Sequence, residues 1–170
     1  LRGIFLQANQ YLDYAANFLD ETHFGEFIRL KVRKANLLLM QSMPIQAITI
    51  LKGLTIYFQN AKSKFDYLII AEAYYYLAYA YLSAGEFRFS LEACSETAKI
   101  LKTHRLPPLQ SRLEMLLGSI AYSTGNFQKA HEHYGASLQI SEFYSAWYMA
   151  LQAAIFSSYT FLKQGKIFQS

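Results

Sequence analysis

The segment Tyr74–Gly85, YYYLAYAYLSAG, is a run of apolar and aromatic residues that ends in glycine, and its pattern recurs along the chain. Forty residues later EMLLGSIAYSTG covers Glu114–Gly125, and after forty more AIFSSYTFLKQG covers Ala154–Gly165. Each copy has the apolar spacing of a helix, and glycine commonly ends helices. A fixed interval of this size is typical of arrays of helical repeats.

The rest of the chain has the same helical spacing, interrupted by short polar or proline-containing breaks. No segment alternates convincingly between apolar and polar residues as a half-buried strand does, so the sequence predicts an all-α fold. The predicted helices are Leu1–Asp20, Glu26–Gln41, Ile45–Phe58, Tyr67–Ser83, Glu86–Leu101, Leu109–Ser123, Asn126–Ile140 and Glu142–Lys163.

The chain is interpreted as one helical-repeat domain over residues 1–170 and as a fragment of a longer protein, because it opens within a helical pattern. Solenoids need polar helices at their ends, and neither Leu1–Leu19 nor Phe143–Phe168 supplies one. We therefore expect further domains or subunits at both ends. The repeats are predicted at approximately 24–60, 66–104, 108–142 and 143–170, the last being incomplete.

The composition excludes a disordered chain and argues against a nucleic-acid-binding one. Apolar residues make up 53% of the sequence and charged residues 16%, whereas disorder requires the opposite balance. The net charge of +4 is small for a protein that binds phosphates. The densest basic cluster favours a solvated face, and nucleic-acid binding stays the third hypothesis; its members are Arg29, Lys31, Arg33 and Lys34.

Location and membrane contact are indicated by two features. Cys94 is the single cysteine, so an internal disulfide is impossible, and its apolar surroundings predict a buried thiol. No signal peptide is visible, and a soluble intracellular protein of the cytoplasm or nucleus is expected. Phe143–Leu162 has no charged residue, but its serines and Gln152 argue against a membrane span.

The repeating unit resembles the tetratricopeptide repeat, whose first helix carries Leu-Gly-x-x-Tyr and whose second carries Ala-x-x-x-Phe. The best copy has Leu117-Gly118, Gly125, Asn126-Phe127, Ala130 and Tyr134. An earlier copy has Leu77-Ala78, Tyr81, Gly85, Glu86-Phe87 and Cys94. Gly118 and Ala78 are expected to be small because neighbouring helices cross closely there.

The interval of forty residues departs from the thirty-four of the common repeat. It is similar to the long-helix variant of the MalT-type regulatory domains of bacterial transcription activators. It is less similar to the array in the fifth subunit of the anaphase-promoting complex. The resemblance implies an α-solenoid of antiparallel helix pairs wound into a right-handed superhelix.

Catalytic and metal-binding patterns have little support. His131 and His133 flank Glu132, but residues two apart on a helix point about 200° apart, so the two rings cannot share an ion. No glycine-rich phosphate loop or nucleophile elbow is present in the sequence. We expect no enzyme activity, no metal and no cofactor.

In a tetratricopeptide array the first helix of each pair lines the concave surface, and the resemblance assigns specific residues to that groove. Rigid aromatic rings on such a surface favour an extended peptide or a partner helix. Packing between long helices is the equally weighted interpretation of any single tyrosine. The predicted groove residues are Arg29, Asn36, Glu72, Tyr75, Tyr79, Ser83, Arg112, Met115, Ser119, Tyr122, Gln152 and Tyr159.

These observations favour a non-catalytic protein-interaction scaffold that belongs to a larger assembly or regulator. A ligand- or peptide-sensing regulatory domain, similar to the MalT type, is the main alternative. A weak nucleic-acid contact through the helix that carries Arg29 is the third.

Overall fold

The computed structural model of the protein describes residues 2–19, 23–60 and 66–163. Within these ranges the chain forms eight α-helices and no strand, so the all-α prediction is confirmed. The last glycine of the pattern, Gly165, and the expected helix start at Lys166–Phe168 lie outside the described residues. The helices are α1 (Arg2–Ala16), α2 (Phe24–Met40), α3 (Pro44–Asn60), α4 (Tyr67–Ser83), α5 (Phe87–Thr103), α6 (Pro107–Ser123), α7 (Phe127–Phe143) and α8 (Trp147–Lys163).

The interval of forty residues is two intervals of twenty. Helices α4 to α8 are each 17 residues long and begin at 67, 87, 107, 127 and 147. Three residues are therefore left for each connection between them. Within each unit, connections this short make sequential helices antiparallel neighbours.

Four of the connections between described helices are Schellman turns. In the turn after α6, the N–H of Gly125 donates to the carbonyl of Tyr122 at 3.0 Å, and the N–H of Asn126 donates to that of Ala121 at 2.8 Å. In each turn the second residue after the helix has a positive φ, which is 79° at Gly85 and Gly125, 59° at Ser42 and 55° at Ser145. The glycines that the sequence singled out thus have two serine counterparts.

Two predicted helix boundaries near Ser145 are wrong. The sequence ended one helix at Ile140 and began the next at Glu142, whereas α7 continues to Phe143 and α8 begins at Trp147. The turn between them is made by Ser145 in the left-handed conformation, where glycine usually stands. Serine gives no turn signal of that kind, so sequence reasoning missed it.

The chain divides into two compact units, residues 1–93 and 94–170. In the first unit α2, α3 and α4 bury a core that includes Ile28, Val32, Ala35, Leu51, Phe58 and Ala73. In the second unit α6, α7 and α8 bury a core that includes Leu113, Ile120, Ala130, Tyr134 and Ala153.

Helices α6 and α7 pack together where Gly118 meets the ring of Tyr134. A Cβ placed on Gly118 would lie 2.6 Å from Cδ1 and Cε1 of Tyr134, so a small residue is required there, as the sequence predicted. The same pair of helices meets at Ser111 and Ser137 near one end and at Tyr122 and Phe127 near the other. The order of these contacts shows that α6 and α7 are antiparallel.

Candidate protein-binding surfaces

Helices α2 and α4 of the first unit are joined by two ion pairs. Arg29 lies 3.1 Å from Asp66, and Arg33 lies 3.3 Å from the half-buried Glu72. The partners advance along both helices in the same direction, so α2 and α4 are parallel. Two predicted groove residues, Arg29 and Glu72, therefore lie on the neighbouring helices α2 and α4, each in an ion pair.

The basic cluster on α2 is largely neutralised by its neighbours. Besides the pairs of Arg29 and Arg33, Lys34 pairs with Asp13 of α1. Lys31 stands over the ring of Phe27, 5.0 Å from its centroid. Exposed pairs of this kind contribute roughly 0–1 kcal/mol each, but they reduce the positive potential that a phosphate backbone would require.

The tyrosines of α4 divide between packing and exposure. Tyr75 is half-buried with its ring edge-on to Tyr76, at 5.3 Å between centroids. Tyr79, one turn later, exposes 43% of its surface, and Ser83 is exposed at the end of the helix. Of the two tyrosines, Tyr79 is therefore the better placed to meet a partner molecule.

Asn36 lies on α2 in an open surface groove that α1 completes. The groove has a volume of about 370 Å³, and its lining is mostly apolar, with Leu12, Leu37 and Met40 among its residues. Tyr11, Arg33 and Asn36 supply its polar groups.

On α6, three of the four predicted groove residues contact α7. The hydroxyl of Tyr134 donates a hydrogen bond to Ser119 Oγ at 3.3 Å. Met115 packs against the core cluster that contains Tyr134. Tyr122 meets Phe127 edge-on at 5.3 Å. Arg112, the fourth, is half-buried. Burial raises the pKa of Tyr134, and the hydrogen bond to Ser119 opposes that rise.

Helix α8 exposes large apolar side chains that were not among the predicted groove residues. Gln152 donates a hydrogen bond to the hydroxyl of Tyr148 at 3.1 Å, and Tyr159 is 53% exposed. Sequence reasoning assigned Gln152 and Tyr159 but missed Tyr148 and Leu151, which are 73% and 60% exposed. Helical spacing places Tyr148 and Leu151 on the same face of α8 as Tyr159, so the sequence could have identified them.

The histidines and the cysteine have structural contacts. His133 Nδ1 lies 2.8 Å from Glu114 on α6, while His131 Nδ1 lies 2.8 Å from Ser157 on α8. The two rings therefore point to different helices. Burial, with a smaller effect of Glu114, raises the pKa of the Cys94 thiol to about 12. Among the described residues, no group of three or more His, Cys, Asp or Glu side chains is arranged to hold a metal ion.

The helices in the described part of the chain all fall short of the length and apolar character that crossing a membrane requires. No protein-family model matches the chain, and no curated protein is significantly similar to it.

Proposed function

We propose that the protein is a non-catalytic protein-interaction module of the tetratricopeptide type, which binds a peptide or helix of a partner protein. The observation that carries this proposal is the exposure of tyrosines at matched positions of first helices. Tyr79 on α4 and Tyr159 on α8 are two forty-residue intervals apart and are 43% and 53% exposed. Half-exposed aromatic rings bury a large area on binding and lose little conformational entropy.

The helix arrangement within each unit supports the resemblance. In the second unit Gly118, at the Leu-Gly position of the pattern, contacts Tyr134, at the Phe of its Ala-x-x-x-Phe. In the first unit Ala78 is fully buried, and its carbonyl accepts a hydrogen bond from Ser90 at 2.7 Å. Small residues thus stand at matched positions where paired helices are in contact.

The experiment compares capture of proteins by the parent chain with capture by Tyr79→Ala and by Tyr159→Ala, made separately. Tyr144→Ala is the control, because Tyr144 is 54% exposed like Tyr159 but lies in the turn before α8. Circular dichroism verifies that every variant is folded.

A protein that is captured by the parent and by Tyr144→Ala, and is lost from either groove variant, supports the proposal. If the parent and all three variants capture the same protein equally, Tyr79 and Tyr159 do not bind it and the proposal is contradicted. The absence of any captured protein contradicts it too.

A further inference from the structure

An open cleft of about 450 Å³ lies in the second unit, where α5 ends, α6 begins and α7 ends. Its volume is within the range of protein sites that hold small ligands. None of the residues that line it is acidic. We call it the basic cleft, and it is lined by two cations, two amides and two aromatic rings, which are Lys102, Arg105, Gln110, Gln139, Phe143 and Tyr144.

The two cations of the basic cleft lack an acidic partner in the described part of the chain. No carboxylate there lies within ion-pair distance of Lys102 or Arg105. On α2, by contrast, Arg29, Arg33 and Lys34 each pair with a carboxylate. Both cleft cations are exposed, so the carboxylate of another molecule can reach them.

The macrodipole of α5 does not by itself require these cations. Lys102 lies in the last turn of α5, where a positive charge is favourable. Forty residues later, the last turn of α7 holds Glu142 and no basic residue. Ser145 stands at the position that matches Arg105. The fold therefore tolerates the opposite charge at the first position and no charge at the second.

The basic cleft lies between two successive intervals of the chain. Leu101 and Lys102 belong to the predicted repeat 66–104, whereas Gln139 belongs to the repeat 108–142. Both sides of the cleft are thus supplied by described helices, and no residue of α8 lines it. Its opening is therefore not the outer face of the last described helix.

Apolar surface stands beside the cations of the basic cleft. Phe143 is 81% exposed and Tyr144 is 54% exposed, and their rings meet edge-on at 4.9 Å between centroids. The half-buried Leu101 and Ile140 also line the cleft. A simple inorganic anion leaves these side chains uncovered, whereas a peptide brings a carboxylate and an apolar side chain together.

Gln110 and Gln139 add groups that can recognise a peptide main chain. Each amide carries donors and an acceptor, and neither side chain hydrogen-bonds another described residue. We propose that the basic cleft binds a segment of a partner protein in which an aspartate or glutamate stands next to a bulky apolar residue. The carboxylate pairs with the two cations, the amides bind the main chain, and the apolar side chain covers the two rings.

This inference goes beyond the proposed function, because the basic cleft does not include the exposed tyrosines. Tyr79 belongs to the first unit, and Tyr159 lies towards the C-terminal end of α8. In the capture experiment, a protein held by the cleft is lost from Tyr144→Ala and kept by Tyr79→Ala and Tyr159→Ala. The same variants therefore distinguish the two surfaces.

The test measures the binding of short peptides to the full chain by NMR titration, with the amide signals of the cleft residues as the readout. The peptides have acetylated and amidated ends, which carry no charge. They share a glycine–serine background and differ only in a central pair, which is Glu-Leu, Gln-Leu or Glu-Ser. The Glu-Leu peptide is expected to bind about tenfold more tightly than the other two, because each of those lacks one contact.

Charge reversal tests whether the cations make the contact. Lys102→Glu is expected to fold, since Glu142 stands at the matching position of α7, and to weaken Glu-Leu binding roughly tenfold. Lys129→Glu is the control, because it changes the net charge equally at an exposed site outside the cleft. The double variant Lys102→Glu with Arg105→Glu should prefer a Lys-Leu peptide. A purely structural role of these cations does not predict that reversal.

Equal affinity for the Glu-Leu and Gln-Leu peptides overturns the proposal, as does equal weakening by Lys102→Glu and Lys129→Glu. Tighter binding of a single-stranded DNA oligomer at the same residues identifies a nucleic-acid site and overturns it as well. Cleft signals that no peptide shifts also overturn it. Each of these results leaves the proposal for Tyr79 and Tyr159 standing.

Discussion

The ring of Tyr134 occupies the space that a side chain at Gly118 would need. Ring atoms Cδ1 and Cε1 lie 2.6 Å from the position of a Cβ at residue 118, and Tyr134 is only 2% exposed. The ring is further fixed by its hydrogen bond to Ser119 and its stacking on Phe156. The contact therefore holds three helices, α6, α7 and α8, in one arrangement.

Replacement of Gly118 by alanine is expected to destabilise the protein by about 1–3 kcal/mol, because the fixed ring must move and overpacking outweighs the gain in helix propensity. Gly135→Ala is the matched control on α7, since a Cβ there meets nothing within 4 Å. That variant should be stabilised by roughly 0.5–1 kcal/mol. Urea unfolding of both variants measures the difference, and an equal gain in both would contradict the steric argument.

Substitution of Ser145 by glycine is expected to stabilise the second unit. Its φ of 55° lies in the left-handed region, which costs a non-glycine residue roughly 1–2 kcal/mol. The greater freedom of glycine in the unfolded chain offsets about 0.4–1 kcal/mol of that gain. The reverse change, Gly125→Ser at φ 79°, should lower the free energy of unfolding. In thermal unfolding, the midpoint temperature should rise for Ser145→Gly and fall for Gly125→Ser.

Ser111→Ala is expected to cost about 1–3 kcal/mol of stability, because the buried Ser141 hydroxyl loses the Ser111 hydroxyl as its hydrogen-bond partner. Ser111 Oγ lies 2.9 Å from Ser137 Oγ and 2.7 Å from Ser141 Oγ, and all three residues are buried. Ser123→Ala, an exposed change on the same helix, is the control. Equal unfolding midpoints for the two variants would show that the cluster contributes nothing.

The Cys94 thiol is expected to resist alkylation in the folded chain and to react once the chain is unfolded. Its pKa of about 12 exceeds the ordinary 9.0, because burial disfavours the thiolate. At a pH between 9.0 and about 12, the Cys94 thiol loses its proton in the unfolded chain and keeps it in the folded chain. This residue's contribution to stability is therefore present below pH 9.0 and lost as the pH rises towards 12. Iodoacetamide labelling with and without denaturant, followed by mass spectrometry, tests the protection; rapid labelling of the folded chain would contradict it.

Much of the helical framework was predictable from local signals. Periodic apolar residues indicated each helix, and Gly85 and Gly125 marked two turns, because glycine accepts positive φ without steric cost. Ser42 and Ser145 make the same turn with a residue that gives no comparable signal. Their turns are closed by the same two backbone hydrogen bonds as the glycine turns, which only the structure shows.

The candidate surface was less predictable, since the exposure of a side chain depends on which helices pack around it. The sequence predicted Tyr79, Tyr122 and Tyr159 as groove residues, without deciding which of them pack against other helices. Tyr122 lies against Phe127, whereas Tyr79 and Tyr159 are exposed. The ion pairs of Arg29 and Arg33 join residues 37 and 39 apart in sequence, which no local pattern indicates.

The sequence by itself determined that this chain is helical, where most of its helices run, and that residue 118 must be small. These features follow from backbone preferences and periodicity, which act over a few residues. Only the tertiary structure decided the serine cluster around Ser111, the ion pairs of α2 and the exposure of Tyr148 and Leu151 on α8. These features depend on contacts between helices, because burial and partner choice are properties of the packed chain.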